Sequence, residues 1–221
     1  MAENSELKVF LQEHGTKILA TVVVVIAIVV GVTRYADSRK VANAEGAALL
    51  GKGMTLVYAE KYDEALAEFE AQMPSLSGLH LAKAALLSGN IKYRAGDFDG
   101  AGKLFETAAG NAGSATLILA GALHGSASVS IEKKDYAKAA SQLEAFIDKF
   151  GRRDGDLEAR YSKEEPADLV PTVSDALWKL TLCYQELGKV AEAKATAERL
   201  KKVYGDKPEV ASKVDKFLAS I

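Results

Sequence analysis

The sequence has one cysteine, Cys183, so no disulfide can form within the chain. A cysteine-rich zinc or iron–sulfur centre is excluded on the same ground. Histidine is scarce: His14, His80 and His124 stand far apart, with no HxxxH spacing to place two imidazoles on one helix face around a metal ion. Neither sign of charge dominates, since 28 Lys and Arg oppose 30 Asp and Glu. The basic excess expected of a nucleic-acid binder is therefore missing. The patterns GxxxxGK[ST], GxGxxG and GxSxG are absent too, which removes the usual marks of a phosphate cradle, a dinucleotide site and a nucleophile elbow. With no nucleophile–base pair or metal-ligand cluster in view, the sequence reads as a non-enzyme that needs no cofactor.

What is present is apolar and unevenly spread. Hydrophobic residues make up 48% of the 221-residue chain, too many for intrinsic disorder. Alanine occurs 37 times, and valine is concentrated in one block. Residues Ile18 to Thr33 carry no charge, and Lys17 and Arg34 close the two ends. A buried strand of about 4–8 residues does not need such a run. A cleaved signal peptide would show a small-residue cleavage pattern after it and a basic segment before it. Arg34-Tyr35 follows instead, and Glu3, Glu6 and Glu13 precede. The expected reading is an uncleaved transmembrane helix over 17–36, after a short segment 1–16. Ile18, Val22, Val25, Ile26, Val29 and Val32 would face lipid, with Lys17, Arg34 and Tyr35 at the interfaces. The charges nearest the run, Lys8 and Lys17 against Arg34, Arg39 and Lys40, are too even to orient it.

Beyond residue 37 the hydrophobic period is helical throughout, and a pattern recurs. An aromatic precedes an Ala by three residues, and an apolar residue follows four later: Tyr62-Ala65-Phe69, Phe98-Ala101-Phe105 and Tyr136-Ala139-Leu143. A weaker copy runs Val190-Ala193-Ala197. Polar breaks precede each copy, and Gly53 and Gly89 each stand 12 residues ahead of a motif Ala. Small residues at these places let two antiparallel helices approach closely. This pattern resembles the tetratricopeptide repeat. Together with the apolar run it implies an all-α chain: a single N-terminal transmembrane helix, then a helical-hairpin solenoid over 37–221 ending in a capping helix at 207–221. For that last helix, Asp206 and Glu209 suggest a capping box, and Val210, Val214, Phe217, Leu218 and Ile221 an apolar stripe. The charged stretch 151–171 reads as a solvated insertion or a partner-contacting loop. Cys183, among Leu180, Leu182 and Leu187, reads as a small buried hydrophobe. Gly121-Ala122-Leu123-His124-Gly125 reads as a close-packing site.

The repeat register also implies an inner face. It takes the residues three before, one after and four after the Gly-equivalent position of each first helix. These are Leu86, Asn90 and Tyr93; His124, Ser128 and Ile131; and Trp178, Leu182 and Gln185. Exposed aromatics there would suit peptide segments.

Two further stretches, Phe10-Leu11-Gln12-Glu13-His14-Gly15 and Arg34-Tyr35-Ala36-Asp37-Ser38, flank the apolar run. With the repeats that follow, they resemble the YfgM-type ancillary subunits of the bacterial Sec translocon. The resemblance implies an inner-membrane protein with its N-terminus cytoplasmic and its repeats periplasmic. Its partners would be translocon subunits, a membrane-anchored periplasmic chaperone and unfolded clients, with lipid around the one helix and no nucleic acid. A scaffold for another envelope complex, in cell division or outer-membrane assembly, stands as the alternative.

Overall fold

The computed structural model of the chain describes residues 24–26, 28–34, 38, 43–151 and 170–221. The chain divides into two units, Met1–Ala48 and Leu49–Ile221. In the first, residues 24–26 and 28–34 are helical. Val25, Ile26, Val29 and Val32 are 52–61% exposed there. Among the described residues no helix is long and apolar enough to cross a membrane. The expected span 17–36 lies partly outside them, including Lys17, Ile18, Val22 and Tyr35. Most of the charged stretch, 152–169, lies outside them as well.

The second unit is a run of antiparallel helix pairs, with no strand among the described residues. Helix α1 covers 49–58 and pairs with α2 (Tyr62–Gln72). A short 3-10 turn, Met73–Ser75, leads to α3 (Gly78–Arg94) and α4 (Phe98–Asn111). The third pair is α5 (Thr116–Glu132) and α6 (Tyr136–Phe150). The fourth is α7 (Val173–Glu186) and α8 (Val190–Tyr204), closed by α9 (Pro208–Leu218). Each helix packs on its sequence neighbours, and α3 also touches α5, the first helix of the next pair. The core is accordingly a chain of small clusters that enlarges at the C-terminal end, where α5 to α9 share one.

All four second helices begin on the first residue of the sequence motif: Tyr62, Phe98, Tyr136 and Val190. The turn before each is the same. Glu60, Gly96, Lys134 and Gly188 all have positive φ, from 59° to 80°. The amide of each bonds three residues back at 2.8–3.1 Å, and the next amide bonds five back, as Lys61 to Leu56 and Asp97 to Lys92 at 2.9 Å. These are the two bonds of a Schellman motif, which satisfies the last carbonyls of the first helix. Asp97 and Asp135 then cap the second helix, accepting from the amides of Gly100 and Lys138 at 2.8 and 3.2 Å.

Within each pair, the closest approach is set by size. A Cβ on Gly89 would sit 2.8 Å from the Phe105 ring, and Gly53 stands closer still to Phe69. The equivalent partners in the third pair are Ala127 and Leu143, and in the fourth Thr181 and Ala197, all fully buried. As the first-helix residue grows from Gly to Ala to Thr, its second-helix partner shrinks from Phe to Leu to Ala. Thr181 fits because its hydroxyl donates to the Leu177 carbonyl at 2.9 Å. The two glycines of the 121–125 segment serve the next joint: Gly125 faces Phe105 at 2.7 Å from its would-be Cβ, and Gly121 faces Leu86 at 3.3 Å.

The capping helix departs from its sequence reading in two ways. Its N-cap is Lys207, extended at φ −89° and ψ 113°, rather than Asp206. Pro208 occupies the first helical position and forces its predecessor out of the helix, so the capping box is displaced. Ile221 lies beyond the helix and is 43% exposed, whereas Val214 and Phe217 are buried against the core.

Two stability predictions follow from this geometry. Gly89→Ala should cost about 1–3 kcal/mol, as overpacked cores do, and Phe105→Leu in the same chain should recover part of that loss. Conversely, Lys134→Gly should stabilise by roughly 0.5–1 kcal/mol, because relief of the left-handed penalty exceeds the added chain entropy. Urea unfolding of the single and double variants checks both.

Candidate partner-binding face

The first helices of pairs two, three and four lie side by side and leave two adjoining clefts. One, of about 300 Å³, lies between α3 and α5, with Leu86, Asn90 and Tyr93 on one side and His124 and Ser128 on the other; Phe105, Gly121 and Gly125 line it too. The second, of about 390 Å³, brings Tyr93 and Ser128 together with Ile131, Glu132, Tyr136, Trp178, Leu182 and Glu186. Tyr93 and Ser128 belong to both, so the clefts form one surface. A larger depression of about 520 Å³ lies elsewhere, between α4, α5 and α6. Its polar groups largely engage one another, as Lys133 with Asp99 and Ser130 with Gln142.

A polar network joins α5 to α7 beneath the second cleft. Lys179 Nζ donates to Asp175 Oδ2 at 3.0 Å and to Ser128 Oγ at 2.9 Å. His124 Nε2 stands 3.0 Å from the same Asp175 oxygen. The His124 hydrogen bond, then Lys179, holds the Asp175 carboxyl well below the usual carboxylate range, against the opposing cost of its desolvation. Ser128 in turn donates to the His124 carbonyl at 3.0 Å. The Ser128–Lys179 contact is not a nucleophile–base pair: Lys179 Nζ donates to the serine oxygen, and the serine proton is committed to the His124 carbonyl.

Around the network the aromatics are fixed. The Tyr93 hydroxyl donates to Glu132 at 2.9 Å, and its ring meets Phe98 edge-on at 5.5 Å. Burial, then Glu132, pushes its phenol up to about 12. Trp178 meets Phe217 edge-on at 5.8 Å, and Lys213 of α9 sits 4.0 Å over the indole. Cys183 is buried, and its thiol is pushed up to about 11, first by burial. That state is inert. Among the described residues no group of three or more His, Cys, Asp or Glu is arranged to hold a metal ion.

The sequence pattern of the tetratricopeptide repeat-like domain matches residues 8–150, and that of a tetratricopeptide repeat matches 175–206. The chain belongs to the tetratricopeptide repeat-like family. Tetratricopeptide repeat folds mediate protein–protein interaction, and their members are typically scaffolds rather than catalysts. Three solved structures share the fold. PilF of Pseudomonas aeruginosa aligns at TM-score 0.58 with 16% identity, over 81% of this chain and 70% of its own. YrrB, described as a tetratricopeptide repeat protein with an unusual peptide-binding site, aligns at 0.57 and 15%, over 77% and 74%. MamA of Desulfovibrio magneticus RS-1 aligns at 0.56 and 13%, over 76% and 81%. Among curated proteins, none matches the chain.

In this tetratricopeptide-like frame the residues proposed from the register divide into three groups. Leu86, Asn90, Tyr93, His124 and Ser128 line the first cleft, and Ile131, Trp178 and Leu182 the second. Gln185 is exposed and lines neither. Ser128 is buried within the network rather than displayed. The sequence reading missed Glu132, Tyr136, Asp175, Lys179 and Glu186. Asp175 and Lys179 carried one available signal, an acid four residues ahead of a base on a helix.

The network predicts a pH effect. A carboxylate held below its unfolded pKa, about 3.9 for Asp, stabilises the fold above that value and loses the contribution as pH falls toward the folded pKa. The Asp175 side chain is 49% exposed, so solvent screening limits its worth to about 1 kcal/mol. Asp175→Asn should therefore be less stable than the wild type above about pH 5, with the gap closing below about pH 4. Urea unfolding across that range measures it.

Proposed function

We propose that this chain is a non-enzymatic, membrane-tethered adaptor that binds segments of partner proteins along the first-helix face. The observation that carries the reading is the continuous surface through Tyr93 and Ser128, which spans three repeats. A groove of that kind suits an extended or helical segment, with rigid aromatics as anchors. The peptide-binding site named for YrrB, a protein of similar fold, supports the same use here. The commitment of Ser128 and Lys179 to structural bonds supports the non-enzymatic reading.

The tether is the apolar run at 17–36. The family pattern starts at residue 8 and continues through that run into the repeats, which favours treating anchor and repeats as one architecture. The exposed Val and Ile side chains of residues 24–32 are the kind of surface that seeks lipid. We place the N-terminus in the bacterial cytoplasm and the repeats in the periplasm, beside the Sec translocon and a membrane-anchored chaperone, on the resemblance of the segments flanking the run. Confinement to one membrane plane would raise the local concentration of the repeats at a partner there. Crosslinking in native membranes, followed by mass spectrometry, is the test. Translocon subunits should be recovered with the wild type and reduced at least about fivefold with Tyr93→Ala, as loss of an aromatic anchor implies. Recovery of only division or outer-membrane assembly proteins would overturn the translocon assignment. Equal recovery with a folded Tyr93→Ala chain would overturn the face.

A further inference from the structure

The chemistry of the second cleft narrows what can occupy it. We infer that it takes a cationic side chain, lysine or arginine, flanked by apolar residues of a partner segment. The inference rests on the binding face proposed above and specifies its ligand.

Three acids, Glu132, Asp175 and Glu186, line the cleft, with one base, Lys179. The base is already spent. Two of its donors go to Asp175 and Ser128, and His124 Nε2, itself bonded to Asp175, stands 3.4 Å away on the third side. Its charge is already matched by the Asp175 carboxylate, so an incoming anion would have to displace that pair. Asp175 is matched in turn by Lys179 and His124. Glu132 and Glu186 remain. Among the described residues neither has an ion-pair partner, and Glu132 receives only the neutral Tyr93 hydroxyl.

Their placement is not scattered. Each stands five residues after the position where its helix meets the second helix of the pair, Ala127 in α5 and Thr181 in α7. They occupy the same register position in successive repeats, on one cleft. Two like charges on one cleft repel, and a cation entering it would relieve that repulsion. The remaining walls suit such a cation. Tyr93, Tyr136 and Trp178 offer aromatic rings, whose faces attract positive charge. Trp178 already holds Lys213 at 4.0 Å on its α9 side. Ile131 and Leu182 supply apolar contact for the flanking residues.

Trp178 is the single tryptophan of the chain, so its emission reports on this cleft directly. The probes are three nine-residue Ala/Leu peptides that differ only at the central residue: Arg, Gln or Glu. The Arg peptide should shift Trp178 emission with an affinity at least about tenfold above the Glu peptide, the Gln peptide falling between. Added salt should weaken the Arg peptide alone. In Glu132→Gln/Glu186→Gln, checked for an unchanged melting temperature, the preference should fall below about threefold; Glu186→Gln alone, at an exposed side chain, should lower it part-way. Equal binding of all three peptides, abolished by Tyr93→Ala, would overturn the cationic ligand and leave the binding face standing. A preference for the Glu peptide, or an Arg preference that survives both glutamate changes, would overturn the inference as well. Failure of every peptide to perturb Trp178 would remove the face and the ligand together.

Discussion

The two helices of each pair approach so closely that one of the two facing side chains must be small. Everything else in the repeat unit is arranged around that contact. Where the first helix offers Gly53 or Gly89, a phenylalanine fills the space. Where it offers Ala127, leucine suffices, and opposite Thr181 only Ala197 fits. Across the first three pairs the total volume at the joint is roughly kept while its division changes, which is the kind of substitution a packed core tolerates, and in the fourth the total is smaller. Phe105 shows how the contact propagates. It is gripped by Gly89 of its own pair and by Gly125 of the next, so a single side chain sets the spacing within one repeat and between two.

The turn makes that contact possible by fixing the angle at which the chain reverses. A left-handed residue and two amide bonds recur at all four turns, although glycine supplies the left-handed position only at Gly96 and Gly188. Glu60 and Lys134 adopt the same conformation at a cost, which the packing on either side outweighs. Tertiary contact, rather than turn propensity, therefore decides the geometry in the first and third pairs.

Much of this was legible in the chain. The motif aromatics mark the first residue of each second helix, and the fourth unit was found through Ala193 even though Val190 replaces the aromatic and stays exposed. Helix α9 starts one residue later than a capping box on Asp206 implies, because Pro208 takes the first helical position and makes Lys207 the N-cap. The network around Asp175 was not legible. Its i, i+4 pairing with Lys179 looks like any solvated helix surface. Its partners His124 and Ser128 are about fifty residues away, across a stretch with no repeat pattern to carry the register. They come together because α5 and α7 both pack on α6, which lets their side chains meet.

The register argument captured one strip of the first-helix face and stopped short of the next. Positions three before, one after and four after the contact point fall within roughly 40–100° of it around the helix, at 3.6 residues per turn. The residues that give the second cleft its charge stand six before, two before and five after, at roughly 120–160°. That outer strip holds Asp175, Lys179, Glu132 and Glu186. The inner strip mixes apolar and polar side chains, and most of it lines the groove between successive first helices. On the outer strip Asp175 and Lys179 tie α7 to α5, whereas Glu132 and Glu186 have no ion-pair partner among the described residues. Two equivalent positions there carry uncompensated glutamates where packing demands nothing of them. Selectivity for a partner would then reside in residues adjacent to the repeat motif rather than in the motif itself, so the pattern that reveals the fold is silent on the ligand.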